Sequence, residues 1–464
     1  MNGALSIFAA AREAPDACAL IDGATEHTFA EVAQRAAPLA AALRAARPPA
    51  LALAPRATIE SLLWLYAAFA VGTPVLALHP RSTEPEKRQA ASLVSALEPP
   101  SVDPTAPQPS LPHGLDERAP LVFIPTSGST GTPRLVELSR GAVQASARAS
   151  AANLGWNEAE RWLLCLPLSH TGGLSVVIRC LLARRSVVLF EPGPAGLLAD
   201  TARLADAARS CTLLSLVPST LTALLDQGFS APPALRAVLL GGSACSAALA
   251  SRAHAARIPL LTSYGLTETA SQVVTRRYAE RLEPLPERHG RVSSGHALPG
   301  VELLLRDGQI AVRAPSLLTR YVGPPSVAGA VDAAGWLVTA DRGELGPGGE
   351  LYVLGRNDDV IVTGGENVDA HEVEAALLAL GGVSAACVMG THSEQFGAVV
   401  SALLVTNDPA LADSARLAEQ LADRLARHKH PRRVKLVESL PLTPSGKLDR
   451  RACAALFDDH LSCG

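Results

Sequence analysis

Hydroxyls, glycines and one cation alternate along Pro125-Thr126-Ser127-Gly128-Ser129-Thr130-Gly131-Thr132-Pro133-Arg134, directly after the apolar run Leu121-Val122-Phe123-Ile124. Glycine lets backbone N–H groups approach a ligand closely, the hydroxyls add donors, and Arg134 adds positive charge. Together they suit the phosphates of a nucleotide. The pattern is not a Walker loop, because no Gly-Lys-Ser/Thr follows the first glycine at the required spacing. A flexible surface turn has the same composition, so the loop alone does not decide the chemistry.

Four further segments carry reactive groups. Ser263-Tyr264-Gly265-Leu266-Thr267-Glu268-Thr269 sets an aromatic, a glycine turn and a carboxylate after the apolar stretch 258–261. Trp336-Leu337-Val338-Thr339-Ala340-Asp341 ends a strand on an acid. Gly355-Arg356-Asn357-Asp358-Asp359 leads into Val360-Ile361-Val362 and Gly364-Gly365-Glu366-Asn367, and Pro441-Leu442-Thr443-Pro444-Ser445-Gly446-Lys447 lies near the C-terminus. Each has a plain alternative: a Tyr-Gly turn, a turn Asp, a charged linker, an exposed lysine.

In this order and spacing the set resembles the adenylate-forming superfamily of acyl-CoA synthetases, nonribosomal adenylation domains and luciferases, over nearly the whole chain. The resemblance implies an acid activated by ATP to an acyl-AMP, which then meets the thiol of coenzyme A. It implies that Thr126, Ser127, Gly128, Ser129, Thr130 and Gly131 hold the ATP phosphates, with Thr130 also at the metal. Arg134 stands where the family usually has lysine, keeping the charge but not its compactness. Gly241, Gly242 and Ser243 line the adenine and acyl pocket, Tyr264 stacks on adenine, and Thr267 contacts the α-phosphate. Glu268 holds Mg²⁺, a hard cation that takes carboxylate and phosphate oxygens. Asp341 accepts from the ribose with Arg356 nearby. Ala340 replaces the glycine of the family's Thr-Gly-Asp, so the turn there needs no positive φ. Asp358 marks a hinge, and Lys447 reaches the acyl phosphate. The implied fold is α/β: a large N-terminal domain of two stacked α/β subdomains plus a small β-barrel, and a smaller mobile α+β C-terminal domain. The expected bounds are 1–355 for the core, 356–358 for the hinge and 359–464 for the mobile domain carrying the lysine.

The acid is read from other residues. Leu166-Pro167-Leu168-Ser169-His170-Thr171-Gly172-Gly173-Leu174-Ser175 is a strand-to-helix turn whose His170 lines the acyl site or gates it. Arg179 follows on an otherwise apolar helix, where a guanidinium is costly unless paired or exposed. Either it joins Arg184 and Arg185 at the helix end in solvent, or it faces a second substrate carboxylate. Ser215, Gly265, Ser271 and Gln272 complete a pocket with room for a ring and a few hydrogen bonds. Within the superfamily these segments are most similar to the o-succinylbenzoate–CoA ligases of menaquinone synthesis. Benzoate- or anthranilate-type aryl-acid–CoA ligases and a stand-alone domain loading a carrier protein remain open. The cluster Arg427, His428, Lys429, His430, Arg432 and Arg433 suits the CoA 3′-phosphate, or is a solvated helix end.

The elements that must position these groups follow from periodicity. Helical patterns over 29–44 and 59–71 alternate with short apolar strands at 186–190 and 213–217, which predicts parallel sheets covered on both faces. Short segments at 301–306, 309–313 and 350–354, separated by Asp-Gly and Gly-Gly turns, predict hairpins or a small barrel. Helices are expected at 370–380 and 413–427. The 464 residues exceed one typical domain, and 48% hydrophobic with 18% charged residues describes a well-cored globular chain. A net charge of −3 gives no support for a nucleic-acid or anionic-membrane partner. The 8 scattered cysteines form no Cys-x-x-Cys pair, which argues for reduced thiols in a cytoplasmic protein and against zinc. No basic segment leads into an apolar core at the N-terminus, so no signal peptide is expected. The uncharged run 61–78 is broken by Gly72-Thr73-Pro74 and reads as a buried helix and strand instead of a membrane span. A homodimer is left open.

Overall fold

A computed structural model describes residues 4–106, 109–111, 114–127, 133–193, 196–288, 290–323, 330–356, 360–363, 366–393, 397–442 and 448–458. Gly128 to Gly131, Asp358, Gly364, Gly365 and Lys447 fall outside them.

The large N-terminal domain is built on two mixed sheets. In the nine-stranded sheet the spatial order runs from His296–Ala297 through Ser271–Thr275, Leu260–Leu266, Ala237–Leu240, Leu213–Leu216, Arg161–Leu164, Ser186–Leu189 and Cys18–Asp22 to Thr25–Thr28. Its six strands from Leu260–Leu266 to Cys18–Asp22 are parallel, and antiparallel strands close both edges. The six-stranded sheet orders Arg320–Val322, Pro133–Ser139, Pro120–Ser127, Val75–Ala77, Ala50–Leu53 and Ala96–Leu97. Helices Phe29–Ala46, Ile59–Val71, Arg140–Leu154 and Thr171–Ala183 fill the layer between the sheets, and one apolar cluster joins Leu51, Val75 and Leu121 to Leu20, Trp162 and Leu261 through them. Short, fully buried strands such as Leu213–Leu216 need a second cover, and helices Thr201–Ala208, Pro218–Asp226 and Ala247–Ala255 supply it from the other face.

Local signals set the element ends. Thr28 caps Phe29–Ala46 through a reciprocal bond with Glu31, and Gly72 at φ +81° ends Ile59–Val71 in the left-handed conformation. Among the described residues no helix is long and apolar enough to cross a membrane. In Thr171–Ala183 the first turn presses on the carbonyls of Leu166 and Pro167. A Cβ on Gly173 would lie 2.4 Å from either oxygen, so only glycine seats the helix there.

The hairpin-rich region is a four-stranded antiparallel sheet, Glu302–Arg306, Gln309–Arg313, Leu337–Leu345 and Leu351–Arg356. Ala340 lies inside its third strand with no positive φ, as the Ala-for-Gly exchange required. The smaller C-terminal domain carries a five-stranded sheet of Glu366–Asp369, Val360–Thr363, Gly397–Thr406, Val383–Ser393 and Arg433–Leu436. Helices Ala370–Leu378, Ser414–Leu421 and Arg450–Asp458 accompany it. The helix expected over 413–427 stops at Leu421, because beyond it only Leu425 is buried and the charged residues around it give a further turn nothing to pack.

Candidate active site

Among the described residues, Tyr264 and Glu268 lie at the C-terminal end of a parallel strand, the end at which open α/β sheets bind ligands. Strand Leu260–Leu266 delivers Tyr264, and the tight turn Thr267–Thr269 delivers Glu268. Strand Arg320–Val322 pairs with Pro133–Ser139, setting the Tyr321 ring 3.9 Å from the Arg134 guanidinium carbon. The Tyr321 hydroxyl donates to Glu268 Oε1 at 2.9 Å, and Arg134 Nη2 stands 3.6 Å from the same oxygen. Buried Arg134 Nε has no hydrogen-bond partner among the described residues, which is what an incoming anion would supply. Burial and then the Glu268 carboxylate push the Tyr321 phenol up. Tyr321 carries no spacing signal, and sequence reasoning missed it.

A second group lies on the four-stranded sheet. Asp341 faces Arg356 in register, with Oδ1 3.7 Å from Nη1. The Tyr264 hydroxyl donates to Asp341 Oδ2 at 2.8 Å, and Thr339 Oγ1 accepts from the Asp341 N–H at 3.1 Å. Burial, and next the Asp341 carboxylate, hold the Tyr264 phenol well above the usual range. A buried acid with one oxygen fixed by a phenol and the other near a cation can accept from a diol. Gly241 lies under Ser263, whose Oγ would be 2.6 Å from an added Cβ, and exposed Gly242 has φ +83°. Ser243 is exposed beside them. Thr126 pairs in register with Arg134, while the Ser127 backbone pairs with Pro133.

The side that the sequence assigns to the acid holds helix Thr171–Ala183, and there Arg179 takes one of its two expected positions. Arg179 is buried to 2% exposure instead of ending the helix in solvent. Arg184 takes the helix end: it caps in the left-handed conformation and pairs with Glu13 at 2.9 Å. Arg179 Nη2 donates to Ser271 Oγ at 3.4 Å, and its guanidinium carbon is 5.5 Å from the Trp162 ring centroid. Among the described residues Nε has no partner and no carboxylate pairs with the group. Burial draws its pKa down to about 10, so it stays a cation at neutral pH.

The walls of this side are polar and fixed. The Trp162 indole donates to Ser215 Oγ at 3.1 Å, and Gln272 Nε2 donates to Thr275 Oγ1 at 2.8 Å. Ala270 at φ +52° and Ser271 at φ +99° are strained for side-chain-bearing residues, and the Ser146 hydroxyl, donating to the Ala270 carbonyl at 2.8 Å, helps hold them. Gly265 is obligatory opposite them, since its Cβ would fall 2.1 Å from the Ser271 carbonyl. His170 precedes the helix with its ring 5.7 Å from that of His79.

In the smaller domain the basic cluster divides. Lys429 pairs with Glu372 at 2.6 Å and Arg433 donates to Thr391 at 3.1 Å, while Arg427 and Arg432 are exposed.

Among the described residues no group of three or more His, Cys, Asp or Glu side chains forms a metal cage. A single hard carboxylate such as Glu268 is a donor that Mg²⁺ accepts, with phosphate and water oxygens able to supply the rest of its shell.

Residues 86–322 match the AMP-binding enzyme family, and residues 372–447 match the AMP-binding enzyme C-terminal domain. A relative in Bacillus velezensis, 2-succinylbenzoate–CoA ligase, is 35% identical over 358 residues, covering 75% of this chain and 71% of its own. The o-succinylbenzoate CoA synthetase of Bacillus subtilis, solved with the acyl-adenylate OSB-AMP, superposes with a TM-score of 0.82 at 28% identity, covering 97% and 98% of the two chains. A double mutant of that enzyme bound to the product analogue OSB-NCoA gives a TM-score of 0.68 at 28% identity and 97% coverage of both. The arrangement of this chain is thus closer to the first of those two structures.

Proposed function

We propose, since the chain belongs to the AMP-binding enzyme family, that it is an AMP-forming acid–CoA ligase whose acid is o-succinylbenzoate, serving menaquinone synthesis in the cytoplasm. A substrate carboxylate oxygen attacks the α-phosphorus of ATP, the bond to the β-phosphate bridging oxygen breaks, and pyrophosphate leaves. The CoA thiol then adds to the acyl carbon of the acyl-AMP, AMP leaves, and a thioester remains.

Both partners of the first step are anionic, so the protein's task is to screen charge and to orient. The 126–131 loop and Arg134 hold the departing phosphates, and Lys447 neutralises charge at the acyl phosphate. Asp341 and Arg356 fix the ribose, and Tyr264 and the Gly241–Ser243 segment flank the base. Glu268 with Thr130 would hold Mg²⁺, which when bound supplies charge neutralisation at the phosphates. Arg134 and Tyr321 keep Glu268 ordered until then. The 356–358 segment serves as the hinge between residues 1–355 and 359–464.

The observation that carries the choice of acid is Arg179, a cation buried without a carboxylate partner among the described residues. A benzoate ring needs no such charge, whereas o-succinylbenzoate brings a second carboxylate that is not activated. Acid-dependent pyrophosphate release across o-succinylbenzoate, benzoate, anthranilate and salicylate tests the reading. The dicarboxylate is expected to lead in kcat/KM by about a hundredfold. A monocarboxylate turned over as well or better contradicts it.

A further inference from the structure

An ion pair crosses between the two domains at a place the reaction chemistry has not used. Arg291, in the hairpin Glu287–Arg288 and Arg291–Val292 of the large domain, sets Nη2 3.1 Å from Asp369 Oδ2 in the smaller one. Their side chains are 13% and 24% exposed, so water screens the pair only in part. Asp369 is also the N-cap of helix Ala370–Leu378, its Oδ1 accepting from the His371 N–H at 2.8 Å. Each carboxylate oxygen therefore has a separate task. The cap sits close against the last strand of the large domain, where a Cβ on Gly355 would be 3.4 Å from Asp369 Oδ1.

Beyond the cap the contacts continue to the C-terminal helix. His371 Nδ1 is 3.1 Å from Arg450 Nη2, and burial followed by the Arg450 and Arg291 charges lowers its pKa to about 3, so the ring accepts as a neutral base. Arg450 Nη2 donates to Glu374 Oε2 at 3.0 Å, and Nη1 donates to the Val388 carbonyl at 2.7 Å. Glu374 Oε1 closes the ring by accepting from the Val388 N–H at 2.8 Å. Arg450 opens helix Arg450–Asp458, three residues after Lys447.

We infer that Arg291 is a positioning residue for the first half-reaction: through Asp369, His371 and Arg450 it seats the smaller domain so that the segment carrying Lys447 is presented to ATP. The inference rests on the assignment of Lys447 to the acyl phosphate. If the proposed 356–358 hinge lets the smaller domain take a second arrangement of similar free energy, a single partly buried ion pair is enough to tip the balance between the two.

Two variants separate docking from helix capping. Arg291→Ala removes the cation, and Asp369→Asn removes the charge while asparagine still caps. Each is expected to slow acid-dependent pyrophosphate release by about five- to tenfold. Thioester formation from supplied o-succinylbenzoyl-AMP and CoA stays within about twofold of the parent. Arg291→Lys recovers most of the first half-reaction, and the double variant is no slower than either single, because both remove one interaction. Lys447→Ala, run in parallel, abolishes pyrophosphate release and spares the thioester step. If Lys447→Ala releases pyrophosphate normally, the lysine assignment fails and this inference with it. If Lys447→Ala behaves as expected but Arg291→Ala and Asp369→Asn slow both half-reactions equally, or neither, the role given to Arg291 is overturned.

Discussion

Arg236 and Arg179 are two arginines taken out of water at different places in the large domain, and their surroundings differ in one respect. Arg236, just ahead of strand Ala237–Leu240, meets Glu160 through both carboxylate oxygens and donates to the carbonyls of Leu154 and Gly155. Burial opposes its charge, yet the hydrogen bonds to Glu160 and the nearby Tyr278 leave its pKa raised. Among the described residues Arg179 meets the Ser271 hydroxyl and the face of Trp162 but no carboxylate, and burial lowers its pKa. In the first region the counter-charge is part of the fold, so the pair is structural. In the second no carboxylate faces the cation among the described residues. Under the role proposed for Arg179 the acid's second carboxylate would supply the counter-charge, and the desolvation already borne would become selectivity for a dianion.

That contrast can be broken in four ways, in falling order of effect. Arg236→Ala strands a carboxylate that is 1% exposed, and urea unfolding is expected to show a loss of about 3–5 kcal/mol. Arg179→Met, of similar length and apolar, is expected to lower kcat/KM for o-succinylbenzoate about a hundredfold, or ~2.7 kcal/mol. Its urea midpoint stays at or above that of the parent, since no partner is stranded. Arg179→Lys keeps the charge but loses the planar fork and the stack on Trp162, so a fall of about tenfold in the same kcat/KM is expected. Trp162→Phe removes the bond to Ser215 and weakens the stack, and steady-state kinetics are expected to show about a threefold rise in KM with kcat held.

Much of this was legible in the sequence. The helix at 59–71 and the strand at 309–313 coincide with their periodic signals, because caps, glycines and apolar spacing agree there. The segments holding Arg134, Tyr264, Glu268, Asp341 and Arg356 were recognisable because each has a distinctive local pattern. Asp341 nevertheless lies inside strand Leu337–Leu345 instead of ending a strand as its sequence suggested, since the pairing with Leu351–Arg356 runs on to Leu345. Two things were not legible. Which side of helix Thr171–Ala183 holds Arg179 depends on packing against Trp162 and Ser271, 17 and 92 residues away in the chain. Tyr321 reaches Glu268 through a pairing of distant strands that leaves no trace in local spacing. The charged residues after Leu421 resembled helix by propensity, but too little apolar surface was available to extend it.

Calorimetric titration of o-succinylbenzoate and of benzoate into the parent and Arg179→Met enzymes, each with a non-hydrolysable ATP analogue and Mg²⁺, tests the central claim most directly. The account predicts that the variant loses about a hundredfold in affinity for o-succinylbenzoate while benzoate changes by less than about twofold. Equal losses for both acids, or unchanged binding of o-succinylbenzoate, would contradict it.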